Sequence, residues 1–241
     1  EFRGEPLDEA LIGIAYSRKE GQRVSGITVD EVSKATARLR AKWIGFTNIN
    51  TVQSVADLPA HILDRVKPDA QTEGFYDPQT KSVYLIADKI ASSERATWVA
   101  AHETVGHGGL RMLKDKTVNQ ALNLAGTNKF VNKLATAITE DRYEQDKKNA
   151  KEGEIVERIS HNIALEEAIA EYAAAIETDN MQALTDRSGI TVPAASQNGI
   201  KGVIARVVDA VKRFMASVTG KPIAEVSDAD VRDLIAAQRE A

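Results

Sequence analysis

The chain contains no cysteine, and this absence excludes both disulfide bonds and thiolate metal sites. Any bound metal ion must therefore be held by histidine and carboxylate ligands. Aromatic residues make up only 5% of the 241 residues, whereas alanine is frequent, and this composition favours helices. The length is sufficient for one large domain with a substantial buried core.

Long apolar runs and clustered charges are also missing. No run approaches the roughly 20 apolar residues that cross a bilayer, and residues 1–10 lack the apolar segment of a signal peptide. The 31 basic residues are scattered among 35 acidic ones, which gives a net charge of −4. We therefore expect neither a membrane nor a nucleic acid as a partner.

The first part of the chain predicts an arm followed by a helix. Residues 1–27 show no sustained periodicity and are interpreted as a linker or an extended arm. Thr28 and Glu31 have the spacing of a capping box, and apolar residues then recur at helical intervals as far as Trp43. This pattern predicts one helix over 28–43.

The next part predicts a small sheet. Alternating apolar and polar residues indicate a strand at 49–55, and a short helix follows. The clearest strand signal is Ser82–Ala87, which comes after an aromatic stretch and a turn at Asp77 and Pro78. We expect this strand to form the edge of the sheet.

Helices are predicted from Ser92 or Ser93 onward. One helix runs to about Leu113, and a strongly apolar one covers 155–177; two more are expected at 199–217 and 228–239. The order of elements predicts an α+β fold that is mostly helical, with a small N-terminal mixed or antiparallel sheet and a helical second half. We divide it into a domain at 28–180 and a C-terminal helical extension at 181–241.

The stretch Ala100–Leu113 contains the pattern H-E-x-x-x-H, in which His102 and His107 are five residues apart. The usual zinc motif H-E-x-x-H places its histidines four apart, on one face of a helix. Five positions turn a regular helix by about 500°, so the two side chains would diverge by roughly 140°. Both imidazoles can bind one metal only if the helix widens locally, as in a π-bulge. Three glycines at 106, 108 and 109 favour such an irregular backbone.

A third ligand is expected from the helix at 155–177. Glu167 and Glu171 are four residues apart and share a face, whereas Glu166 and Ala170 are expected to point elsewhere. One carboxylate can bind metal while its neighbour orients a ligand histidine through the ring N–H. A rotation of this helix by one residue would put Glu166 in place of Glu167, and both assignments stay open from the sequence.

These two motifs resemble those of gluzincin metallopeptidases. H-E-x-x-G-H followed by E-E-x-x-A-E is similar to the zinc site of dipeptidyl peptidase III, and the chain from about residue 50 resembles the zincin-like peptidase domain of large polyvalent proteins of phages and prophages. The resemblance implies a zincin-like fold at 28–180 and a Zn²⁺ ion held by His102, His107 and Glu167. It further implies Glu103 as general base and Glu171 as the partner of a ligand histidine.

The resemblance also implies a function and a setting. We expect a zinc-dependent peptidase that hydrolyses a peptide or protein substrate with a metal-activated water, and whose parent is a phage polyprotein. It would act in the host cytoplasm or in association with the virion. Thermolysin-like enzymes stabilise the oxyanion with a Tyr and a His, for which Tyr172, Tyr143 and His161 are the candidates.

Two other functions fit the same residues. A catalytically inactive zincin-like module would bind metal structurally, or dock onto a host or phage protein. Such a structural site would be closed by a fourth protein ligand, His161 or Glu166, whereas a catalytic site leaves that position to water. An interaction module without metal is the third alternative.

Overall fold

Four strands form one mixed sheet in the computed structural model of the chain. The strands are β1 (Tyr16–Ser17), β2 (Asn48–Val52), β3 (Thr72–Asp77) and β4 (Ser82–Ile86). Their order is β1-β3-β4-β2, with β3 antiparallel to β1 and β4, and with β2 parallel to β4. The predicted mixed sheet is confirmed, but β4 has a hydrogen-bonded strand on each side. The prediction that β4 forms the edge is therefore wrong.

The other elements are helical, which confirms the predicted α+β class with a predominance of helix. The helices are α1 (Val29–Ala35), α2 (Ala37–Lys42), α3 (Ala60–Val66), α4 (Ser93–Ala101), α5 (Gly109–Arg111), α6 (Asp115–Gly126), α7 (Lys129–Asn149), α8 (His161–Glu177) and α9 (Met181–Ser188). A π-helical segment, His102–Gly108, joins α4 to α5, and two short 3-10 turns lie at Val55–Asp57 and Ala87–Lys89. The structure describes residues 16–17, 25–42, 47–66, 68, 71–111, 115–150 and 155–202.

Both faces of the sheet are covered, so β3 and β4 are buried along their whole length. On β4, Val83 and Leu85 face the main core, which the larger helices complete. Tyr84 and Ile86 alternate with them and face a smaller cluster built around Ile62 of α3. The sheet is thus a layer between α3 and the helices of the main core, and these helices include α4 and α8.

The predicted turn at Asp77 is confirmed, and this residue holds β3 against β4. Its buried carboxylate accepts hydrogen bonds from the backbone N–H groups of Gln79 and Thr80 at 3.3 and 3.2 Å. It also pairs with Arg65 of α3 at 2.6 Å. The turn is therefore anchored from inside the hairpin and from the neighbouring helix.

The helix predicted at 28–43 is interrupted. The capping box of Thr28 and Glu31 is present, but α1 ends at Ala35 and α2 begins at Ala37. Thr36 lies between them, where its hydroxyl donates to the Val32 carbonyl at 2.8 Å and accepts from Arg40 at 3.0 Å. The bond from the Thr36 hydroxyl to the Val32 carbonyl competes with the hydrogen bonds of the helix backbone, and this explains the break between α1 and α2. The periodicity of the apolar residues does not reveal this break.

The helix predicted at 155–177 begins later, at His161. Ser160 caps it by accepting a hydrogen bond from the Ile163 N–H at 3.4 Å. The preceding segment, 155–160, is not helical, and Arg158 in this segment pairs with Glu140 of α7 at 3.1 Å. Ile155, where the predicted helix begins, therefore lies outside α8, and its side chain is 87% exposed.

The two ends of the chain are described in part. In the predicted arm, β1 pairs with β3, and the Ile27 N–H donates to the Ala87 carbonyl at 3.0 Å. In the predicted extension, α9 and a helical stretch at 194–202 contribute Leu184 and Ile200 to the main core. Residues 1–15, 18–24 and 203–241 lie outside the described part, together with most of the two C-terminal helices expected there. Within the described part, no helix has the length and apolar character to span a membrane.

We predict that Ser92 stabilises the helix that carries the histidine motif. Its hydroxyl accepts a hydrogen bond from the Arg95 N–H at 3.2 Å and so caps α4. Ser92→Ala should lower the free energy of unfolding by about 1 kcal/mol in urea denaturation. Ser93→Ala is the matched control, because its side chain is exposed within the first turn. Equal losses in the two variants would contradict the assignment of the cap.

Candidate metal centre

The π-helical segment brings the two motif histidines together, as predicted from their spacing. His102 begins the segment and His107 lies near its end, so the wider turn compensates for the extra residue. Their Nε2 atoms are 3.2 Å apart and their rings meet edge to face. Both side chains are buried. A single ion can therefore contact both imidazoles.

The segment is crossed at very close range by α8. A Cβ atom built on Gly106 would lie 2.2 Å from the Cβ of Ala170, so no larger residue fits at 106 without a shift of α8. Gly106 thus serves close packing, and a special backbone conformation is not needed, because Gly189 is the only glycine with positive φ in the described part of the chain. The prediction that Ala170 points away from the motif is wrong.

Glu167 of α8 contacts both imidazoles. Its Oε2 lies 3.5 Å from Nε2 of His102, and its Oε1 lies 3.3 Å from Nε2 of His107. Two nitrogen atoms and one carboxylate therefore converge on one point. The sequence had left Glu166 as an alternative at this position, and the structure places Glu167 there.

Glu166 also faces the centre, contrary to expectation, but it contacts the other nitrogen of the histidine. Its Oε1 lies 2.9 Å from Nδ1 of His107. A carboxylate can only accept, so Nδ1 of His107 donates, and the neutral ring has its lone pair at Nε2. Glu171 stands in the corresponding place for His102, with its Oε1 4.0 Å from Nδ1. Each histidine thus has a carboxylate behind it.

The distances fit a metal ion with nitrogen and oxygen ligands. Ligand atoms at about 2.0–2.1 Å from a tetrahedral zinc are about 3.3 Å from one another. The three separations among His102, His107 and Glu167 are 3.2, 3.3 and 3.5 Å. His102, Glu103 and His107 also offer ligand atoms within 4.8 Å of one another. Each oxygen of Glu167 lies near a tetrahedral edge length from the Nε2 atom of one histidine, so Glu167 is a candidate for the third ligand beside Glu103.

The charge of the centre is concentrated on one histidine. Burial disfavours a charged imidazole, but the negative charge of Glu167 and the hydrogen bond to Glu166 outweigh it and raise the pKa of His107 to about 10. Burial lowers the pKa of His102 to about 4, although Glu167 opposes this change. His107 thus supplies a single positive charge among the carboxylates. A bound divalent cation would supply a larger positive charge at the same place.

Glu103 is the buried carboxylate beside the ligand set. Neither of its oxygens completes a hydrogen bond with a described residue. Burial, the largest effect, raises its pKa to about 8, and the charge of His107 and the nearby backbone N–H of Tyr76 only partly oppose this rise. Burial, followed by the charge of Glu167, also raises the pKa of Glu171 to about 8. Glu103 is therefore available to bind or exchange a proton.

An ion pair that the sequence analysis missed lies next to the centre. Arg95 of α4 pairs with the buried carboxylate of Glu73 on β3 at 2.6 Å. The positive charge of Arg95 also acts on Glu171 and His102. Arg95 precedes His102 by about two helical turns, but Glu73 lies on another element, so no local pattern reveals their pairing.

The three candidates for an oxyanion stabiliser lie in different environments. Tyr172 is buried, but it is five residues from Glu167 on α8 and so projects about 140° away. Tyr143 of α7 is covered by the Arg158 guanidinium at 4.1 Å. His161 is exposed at the first turn of α8. Sequence spacing had not selected among them.

We predict that the close approach at Gly106 is required for metal binding. Gly106→Ala should displace α8, lower the free energy of unfolding by about 1–3 kcal/mol and reduce the zinc retained after dialysis. Gly109→Ala is the control, because a Cβ there meets no atom within 4 Å and helix propensity then favours alanine. Full retention of zinc by Gly106→Ala would show that the crossing does not position the ligands.

Comparisons with known proteins do not assign this centre to a family. No protein-family model, no curated protein sequence and no solved structure matches the chain. The geometry alone therefore supports the conclusion at this point, which is that His102, Glu103 and His107 form a cluster that could hold a metal ion.

Proposed function

We propose that the protein is a zinc-dependent peptidase of the gluzincin type. The observation that carries this proposal is the convergence of two imidazole Nε2 atoms and the Glu167 carboxylate beside a second buried carboxylate, that of Glu103, which has no hydrogen-bond partner among the described residues. The resemblance of the two motifs to gluzincins supports it. The phage or prophage origin and the cytoplasmic or virion-associated location stay predictions from that resemblance.

Zinc is the metal that this set of ligands favours. Two histidines and one carboxylate are the protein ligands of many catalytic zinc sites, and hard ions such as Mg²⁺ and Ca²⁺ prefer oxygen alone. In the proposed site His102, His107 and Glu167 hold the ion, while Glu166 and Glu171 orient the rings. When bound, zinc would supply the positive charge that polarises a water and the scissile carbonyl.

Glu103 is the proposed general base. One of its oxygens accepts a proton from the attacking water and later donates the same proton to the leaving nitrogen of the cleaved peptide bond. Its burial excludes bulk water, and the backbone N–H of Tyr76 is close enough to act on its carboxylate. A cation between the imidazoles favours the ionised form of Glu103, which is the form that accepts a proton.

The strand that lies nearest the proposed base is β3. The backbone of Tyr76 on β3 lies next to Glu103, and β3 also packs against the π-helical segment through Gly108. Within the described residues, β1 pairs with β3 only at Thr72 and Gly74.

The alternative of a closed structural metal site receives less support. Such a site needs a fourth protein ligand, and the sequence offered Glu166 or His161. Glu166 is engaged with Nδ1 of His107, on the far side of the ring from the other ligands, and His161 is exposed at the start of α8. A ligand set of three with a neighbouring carboxylate is the arrangement expected of catalysis.

We predict that Glu103→Gln separates catalysis from metal binding. The variant keeps the size of the side chain but loses the basic oxygen, so kcat/KM on a peptide pool should fall at least about 10²-fold. Zinc content, measured by elemental analysis of protein purified without chelator, should stay at that of the wild type. Hydrolysis at the wild-type rate would eliminate the proposed mechanism. His107→Ala should lose both zinc and activity.

A second pair of variants distinguishes the two neighbouring glutamates. Glu167→Gln should abolish stoichiometric zinc binding, because it removes a charged ligand from the point of convergence. Glu166→Gln should retain the ion with an affinity reduced about 10–100-fold, since it weakens only the hydrogen bond behind His107. Competition with a chromophoric chelator measures both affinities. The reverse order would assign the ligand role to Glu166.

A further inference from the structure

A buried ion pair joins β3 to the motif helix, by which we mean α4 and the π-helical segment that continues it. The carboxylate of Glu73 is fully buried, and the guanidinium of Arg95 donates to both of its oxygens. Nε lies 3.0 and 3.2 Å from the two oxygens, and Nη2 lies 2.6 Å from one of them. The proposed reaction uses neither side chain.

The strand and the motif helix also touch beyond the ion pair. A Cβ atom built on Gly74, the next residue of β3, would lie 2.8 Å from Cγ1 of Val99 on α4. Two residues further along β3, the ring carbon Cε2 of Tyr76 lies 3.4 Å from the position of a Cβ atom on Gly108. The strand therefore follows the motif helix from α4 into the π-helical segment.

These contacts have matching spacings along the two elements. From Glu73 to Tyr76 the strand advances by three residues, or about 10 Å. From Arg95 to Glu103 the helix advances by eight residues, or about 12 Å. The backbone N–H of Tyr76 is close enough to the Glu103 carboxylate to act on it. The ion pair thus lies at one end of the contact between strand and helix, and the proposed base lies at the other end.

A buried ion pair is better suited to fixing a position than to stabilising a fold. Taking two charges out of water costs about as much free energy as their attraction returns, so apolar side chains of similar volume would often stabilise the contact equally well. Apolar side chains can slide past one another. Hydrogen bonds from a planar guanidinium to both oxygens of a carboxylate instead specify the direction and the distance of the two groups.

We propose that Glu73 and Arg95 are positioning residues, whose ion pair sets the register of β3 along the motif helix and so holds Tyr76 at the proposed base. The inference rests on the proposed role of Glu103 in the hydrolysis of peptide bonds. If the strand slid along the helix, the Tyr76 N–H would leave the Glu103 carboxylate, and this carboxylate would lose a contact that orients it.

The double variant Glu73→Met/Arg95→Met tests whether the pair positions or stabilises. Removal of one partner alone would leave a buried charge unpaired and destabilise the fold, so both residues are replaced by an apolar side chain. The melting temperature should stay within about 4 °C of that of the wild type, and the zinc bound per chain should not change. A larger loss of stability would assign the pair to the stability of the fold and overturn the inference.

The amide signal of Tyr76 in an NMR spectrum reports the register without requiring turnover. Labelling with ¹⁵N-tyrosine gives one backbone signal for each of the five tyrosines, and Tyr76→Phe identifies the relevant one. A nearby carboxylate shifts an amide proton downfield. The double variant should therefore move this signal upfield, further than that of any other tyrosine, and Glu103→Gln should move it in the same direction. A signal that stays in place in either variant would overturn the inference.

Kinetics of the zinc-loaded protein on the peptide pool measures the effect on catalysis. The double variant should lower kcat about tenfold or more and leave KM within about twofold, because a displaced base slows proton transfer without weakening substrate binding. Glu140→Met/Arg158→Met is the matched control, since this pair of the same residue types joins α7 to the segment before α8. The control should keep the kcat and the Tyr76 signal of the wild type.

The experiments separate this inference from the proposed function. If the wild type cleaves no peptide but the Tyr76 signal moves as expected, the peptidase function fails and the positioning role of the ion pair stands. If the double variant cleaves peptides with the kcat of the wild type, the positioning role fails and the peptidase function stands.

Discussion

The contact between Gly106 and Ala170 is the constraint on which the candidate centre depends. It lets the backbone of α8 approach the π-helical segment more closely than any side chain would allow. At this separation the short reach of a glutamate is enough for Glu167 to contact both imidazoles. The same approach explains how Glu166, about 100° around the helix, still reaches His107. A wider crossing would leave one of these carboxylates out of contact.

Burying this many acidic groups creates an electrostatic requirement. An isolated buried carboxylate is strongly disfavoured, so the cluster needs positive charge inside it. A proton on His107 supplies one charge, while Arg95 and Arg142 act from the periphery. A divalent cation bound between the imidazoles and Glu167 would meet the same requirement more completely, and it would also supply the chemistry of the proposed reaction. The stability of the buried carboxylates and the proposed reaction thus both require positive charge at the centre.

Local sequence patterns correctly predicted the parts of the fold that are determined by interactions between neighbouring residues. The capping box at Thr28, the turn at Asp77 and the strand of β4 depend on neighbouring residues, and all three are present. The errors occurred where contacts between distant segments decide. Segment 155–160, which pairs with α7 through Arg158, stays outside α8, and the parallel pairing with β2 places β4 inside the sheet. Neither contact has a signature within the segment that it changes.

The sequence by itself determined the chemistry available to this protein. Without cysteine, a metal ion can be held only by histidine and carboxylate, and the spacing of His102 and His107 requires a widened helical turn for both to reach one ion. Only the tertiary structure decided which carboxylate contacts which nitrogen of His107. The physical reason is that a helical periodicity defines the faces of a helix, whereas the distance and rotation of α8 against its neighbours depend on packing with residues far away in the chain.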